Sequence, residues 1–147
     1  MTCVMWTLRR LLALPRTDRQ LLAAAGLFVF AARVSLRLLP YAFVRRVAAR
    51  LSHAVKYPRF PAARIAWAVA VASRRVPGGK NCLAQALAAH VLLARHGLAS
   101  RLRLGVARTP DGRLDAHAWV EAESDVLVGA LGRARYTPFP TTAGDGP

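Results

Sequence analysis

The spacing of apolar residues changes period once along this chain, near residue 100, and that change most limits what it can fold into. Before it the pattern is helical: Leu83, Leu87 and Val91, with Ala86, Leu93 and Ala94, repeat at helical spacing between Cys82 and Arg95. After it, Leu102, Leu104 and Val106 alternate with Arg101, Arg103 and Gly105, the pattern of a half-buried strand. Helices first and strands afterwards, with no alternation of the two, predict an α+β fold with an antiparallel sheet.

The helical zone is expected to open at Thr17, an N-cap residue type followed by Asp18, whose charge suits a first turn. Pro40 ends that helix, and a second runs from about Tyr41 to Val55 with Phe43, Val47 and Leu51 on one stripe. Tyr57-Pro58-Arg59-Phe60-Pro61 reads as a linker, and a third helix covers Ala62 to Ser73. Val76-Pro77-Gly78-Gly79-Lys80 is a turn, Asn81 a cap for the helix that Cys82 begins, and Gly97 its C-terminal stop. Thr109-Pro110-Asp111-Gly112 turns the first strand into a second, from His117 to Ala122, with His117, Trp119 and Glu121 on one face. A third strand is expected from Asp125 to about Leu131 after a turn at Glu123-Ser124. The organisation predicted is a flexible N-terminus (1–16), a helical region (17–75), a core domain (76–140) and a disordered tail (141–147).

Charge is as uneven as period. Residues 1–110 hold 19 of the 22 Lys and Arg and one acid, Asp18, for a net +18, whereas 111–147 hold three basic and six acidic residues, for −3. Such a region favours an anionic partner, though charge alone does not choose among nucleic acid, lipid and acidic polypeptide. The aromatics stand mostly at helical core spacing and not among the cations, so nucleic acid is not the expected partner. Two cysteines, Cys3 and Cys82, make no disulfide framework and suggest a reducing compartment, the cytoplasm. The apolar run Leu21 to Ala32 after Arg9, Arg10, Arg16 and Arg19 has the look of a signal peptide. At 12 residues it is too short to span a bilayer, and it continues as Arg33, Val34, Leu36 and Arg37. It is read first as a buried or peripheral helix, with membrane association and secretion as the lesser alternatives.

Cys82 is the residue with the most chemical potential. At the first turn of a helix, near Lys80, its thiolate is favoured by the helix dipole and a cation, and the free amides of that turn can donate to an oxyanion. The competing reading is a small apolar residue at a helix start. His117 heads a strand in a different element, which is where a base for Cys82 must come from; otherwise it is a surface histidine at a strand end. His90 lies about 12 Å along the same helix and cannot reach Cys82. His96 serves as a helix C-terminal charge, and His53 reads as structural. CxxC, HExxH, GxGxxG and GxxxxGK[ST] patterns are absent, so no metal or nucleotide cofactor is expected.

Taken in order, Val76-Pro77, Cys82-Leu83-Ala84-Gln85-Ala86-Leu87, Leu92-Leu93, Gly97, Leu102-Arg103-Leu104-Gly105-Val106, Ala116-His117-Ala118-Trp119-Val120-Glu121 and Tyr136-Thr137-Pro138 resemble a known family. It is that of the B2 leader peptidases of lasso-peptide biosynthesis, related to the C-terminal domain of the microcin J25-type processing protein. The resemblance covers roughly residues 17–139. It implies a transglutaminase-like, papain-like core in which the nucleophile is Cys82, on a helix N-terminus, and the base is His117, on an antiparallel sheet. It implies cleavage of a leader from a ribosomal precursor peptide, delivered by a PqqD-like leader-binding protein, before an asparagine-synthetase-like cyclase closes the macrolactam. Family members usually orient the imidazole with an acidic residue on the strand after it. If Glu123-Ser124 is a two-residue turn, Ala122 pairs with Asp125, and Gly129 and Ala130 face His117, with no carboxylate. Asp115 or a backbone carbonyl could take that role. The alternatives are an inactive scaffold of the same fold and a basic nucleic-acid-binding protein.

Overall fold

The computed structural model describes residues 13–52, 60–77, 81–123, 125–130 and 132–140. The expectations for the N-terminus before residue 13, for His53, for most of the linker, for Lys80 and for the tail lie outside them. Four helices come first: α1 (Arg16–Leu38), α2 (Tyr41–Leu51), α3 (Ala62–Ser73) and α4 (Cys82–Arg95). Strands β1 (Arg101–Arg108), β2 (Leu114–Ala122), β3 (Asp125–Val128) and β4 (Thr137–Pro138) follow, with a 3-10 turn at Arg133–Arg135. The sheet is antiparallel in its three pairings, in the order β3-β2-β1-β4.

The helix at the centre is α4, and its composition says why. Ala84, Ala86, Leu87, Ala88, Ala89, Val91, Leu92 and Leu93 are all buried, so it is apolar around its whole circumference. Alanines let neighbours approach closely. On one side α4 shares a core with Leu21, Ala25 and Val29 of α1, Ile65 and Val69 of α3, and Ala118 and Val120 of β2. On another, Leu87 and Val91 meet Val44 and Ala48 of α2. A single core thus includes residues on both sides of position 75.

Several boundaries differ from expectation for identifiable reasons. The first helix begins at Arg16 with Pro15 as its cap, not Thr17, and no side chain caps it. Asp18 turns inward instead and pairs with Arg64 of α3. The second strand starts at Leu114, three residues before His117, because β1 pairs with it along its full length, Arg108 opposite Leu114. The third strand ends at Val128. The turn does pair Ala122 with Asp125, but a bulge at Val120/Glu121 sets Val128 opposite Val120. One extra residue on β3 shifts the register beyond that point. Asn81 does cap α4, accepting from the Ala84 amide at 3.0 Å, and Gly97 has φ 76°.

Candidate active site

Cys82 begins α4 as a half-buried free thiol against the apolar core. The Asn81 side chain takes the Ala84 amide, and its carbonyl takes that of Gln85. Among the described residues the amides of Cys82 and Leu83 have no partner, at the positive end of the helix. The segment leading to Cys82 is anchored from a distance. Arg33, buried on α1, donates from Nη1 to the carbonyls of Val76 and Pro77 and from Nη2 to that of Ser73. No local pattern pointed to this contact; the only signal was an arginine interrupting an apolar run.

His117 lies on β2, which turns Ala118 and Val120 into the core beside α4 and turns His117, Trp119 and Glu121 to the other face. Gly105 of β1 stands opposite His117. A Cβ there would come within 2.9 Å of the Trp119 ring, so only glycine leaves the indole its place. The imidazole stacks on Tyr136 at 5.0 Å and on Trp119 at 6.2 Å between centroids. Its Nε2 is 2.8 Å from the carbonyl oxygen of Gly129. A carbonyl can only accept, so Nε2 carries the hydrogen and the neutral ring keeps its lone pair on Nδ1.

The acceptor at Nε2 is a main-chain carbonyl, one of the two orienting groups the sequence left open. Gly129 has φ 82°, and a Cβ on it would fall 2.7 Å from the Ala118 carbonyl and 2.9 Å from Trp119 Cβ. Glycine here lets the chain leave β3 and press its carbonyl toward His117. Asp115 makes no hydrogen bond to the ring among the described contacts and acts on it only through Tyr136. It accepts from the Tyr136 hydroxyl at 2.6 Å and pairs with Arg135, and so holds the aromatic ring that stacks on His117. Beyond Trp119 lies a cavity of about 200 Å³ lined by Arg103, Trp119, Glu121, Arg133 and Tyr136, among others. Glu121 accepts from Trp119 Nε1 at 2.8 Å and pairs with Arg103 and Arg133. The Trp119 hydrogen bond, helped by both arginines, keeps its carboxyl below the ordinary range despite partial burial.

The described contacts of Cys82 and His117 remain separate, the thiol against the core and the imidazole among Gly129, Trp119 and Tyr136. No hydrogen bond between them is among those contacts. On the side of β2 facing β3, strand pairing covers only residues 120–122, which leaves the edge beside His117 without a strand partner among the described residues. His90, on the same helix as Cys82, bonds Ser100 at 2.8 Å, and His96 stacks edge-on against Phe60. Among the described residues no group of three or more His, Cys, Asp or Glu could hold a metal ion.

Neither a curated protein nor a solved structure matches the chain. The family model described as the transglutaminase-like superfamily matches residues 26–141, from the middle of α1 through the whole sheet. Helices followed by a four-stranded antiparallel sheet are the α+β fold consistent with that match, and the chain belongs to the transglutaminase-like superfamily.

Proposed function

We propose that this protein is a cysteine peptidase in which Cys82 is the nucleophile and His117 the base. The observation that carries it is the Nε2 to Gly129 carbonyl bond, which fixes the tautomer and leaves Nδ1 to exchange a proton with a thiol. Catalysis requires Sγ of Cys82 to come within reach of Nδ1, although the described contacts hold the thiol against the core and the imidazole on the other face of β2. The thiolate attacks the peptide carbonyl, and the oxyanion is received by the amides of Cys82 and Leu83. His117 then protonates the leaving amine, giving a thioester. Water attacks the thioester with Nδ1 as base, releasing the acid and restoring the thiol.

The substrate we infer, from the family resemblance of the motifs around Cys82, His117 and Tyr136, is the leader–core junction of a ribosomal lasso-peptide precursor. A PqqD-like protein would present it and an asparagine-synthetase-like cyclase would use the product, all in the cytoplasm. The cationic stretch 1–110, net +18, favours a delivery partner or leader with acidic segments.

A second reading, an inactive scaffold of this fold, is favoured by one observation: the imidazole is held by a backbone carbonyl where relatives usually place a carboxylate. Incubation of a cognate precursor with wild type and with Cys82→Ala, followed by mass spectrometry, separates the two. The peptidase reading expects cleavage by wild type and a fall to background, about a millionfold at full effect, in the variant. Equal cleavage by both, or none by wild type with the delivery protein present, sinks it.

A further inference from the structure

Eight of the ten large hydrophobic side chains exposed among the described residues lie between positions 27 and 51, on α1, α2 and the link joining them. On α1 they form one stripe: Leu27 (66% exposed), Phe30 (54%), Val34 and Leu38 (76%), at i, i+3, i+7 and i+11. The stripe is about 16 Å long and lies opposite Leu21, Ala25, Val29 and Arg33, which face the core. The sequence suggested a buried or peripheral helix. The structure buries only one side of it, and the outward side is apolar as well.

By length and composition α1 could cross a bilayer, with mean hydropathy 1.8 over its most apolar stretch. Its inner face argues against crossing. Asp18 is paired with Arg64, Arg33 is bonded to the loop before Cys82, and α3 and α4 pack along it. A helix fixed to its own protein along one face can present only the other, so it lies on a surface rather than through it. The surrounding charge identifies that surface. Arg37, Arg46 and Arg50 are exposed on the same two helices, and residues 19–110 contain no acidic residue at all. A second copy of the chain would bring the same cations together. An anionic lipid interface would neutralise them while taking up the leucine and phenylalanine side chains.

We propose that α1 and α2 dock this protein on anionic phospholipid, with the Leu27–Leu38 stripe seated at the level of the headgroups and the arginines at the phosphates. Docking is independent of the chemistry at Cys82 and is measured equally well in Cys82→Ala. The test is co-sedimentation of the full chain with vesicles of phosphatidylglycerol and phosphatidylcholine, beside vesicles of phosphatidylcholine alone. Binding is expected to the first and much weaker to the second. Leu27→Ser with Phe30→Ser should weaken it about tenfold or more. Arg37→Gln with Arg50→Gln should weaken it about fivefold for each arginine removed. Both pairs are exposed, so an unchanged thermal midpoint by circular dichroism shows that the fold is intact. The proposal is overturned if wild type does not sediment with anionic vesicles, or if the serine pair binds them as wild type does. It is equally overturned if the serine pair abolishes capture of a soluble protein partner while vesicle binding stays the same.

Discussion

The two faces of β2 are built from alternate residues of one strand and have little else in common. Ala118 and Val120, at 1% and 0% exposure, are small, apolar and closed against helices. Asp115, His117, Trp119 and Glu121 face the other way, into hydrogen bonds, stacked rings and a cavity. A side-chain period of two lets one strand anchor a core and carry reactive groups without compromise between them. The difference predicts that damage to the inner face appears as lost stability and damage to the outer face as lost activity.

Gly129→Ala tests the outer face most severely. The added methyl falls against the Ala118 carbonyl at a φ that disfavours it, so the carbonyl at Nε2 must move. A displaced base should lower kcat/KM for precursor cleavage about 100-fold, with Cys82 still open to alkylation. An unchanged rate would mean that His117 needs no such acceptor. Val120→Ala is the complementary change on the inner face. It should cost about 2 kcal/mol in denaturant unfolding and leave cleavage per folded molecule untouched. A loss of activity without loss of stability would erase the distinction between the faces. Glu121→Gln has the smallest effect and a definite sign. The Glu121 carboxyl is held below its ordinary range, chiefly by Trp119, so its contribution is full above the unfolded-state carboxylate pKa and disappears as pH falls through the lower folded-state value. The variant should therefore unfold with less dependence on pH across that acidic window, measured by the denaturation midpoint.

Apart from Thr17 as a cap, local signals were read well and distant partnerships were not. Asn81 as a cap, Ala62 to Ser73 as a helix and the turn after Thr109 each depend on neighbouring residues, and each is found where the residue types put it. Asp18 does stand in the first turn of α1, but its partner, Arg64, is 46 residues away and left no local sign. Arg33 looked like part of an amphipathic pattern because the carbonyls it holds are 40 to 44 residues distant. The bulge on β3 was invisible for a related reason. A turn sets the first pair of a hairpin, but the packing of Val120 and Val128 decides where the register goes next. The stack of Tyr136 on His117 required a return of the chain through β4, two residues too short to announce itself.

The acceptor on Nε2 belongs to the main chain, and this has a consequence for how the protein responds to acid and to mutation. An amide oxygen has no titration near neutrality, so the acceptor on Nε2 itself stays unchanged as pH falls. Nor can a codon change delete it. Side-chain replacement scanned along the chain would find no orienting residue, only a glycine whose loss moves a group that every amino acid possesses; replacing the peptide unit by an ester at that position is the change that would weaken the acceptor itself.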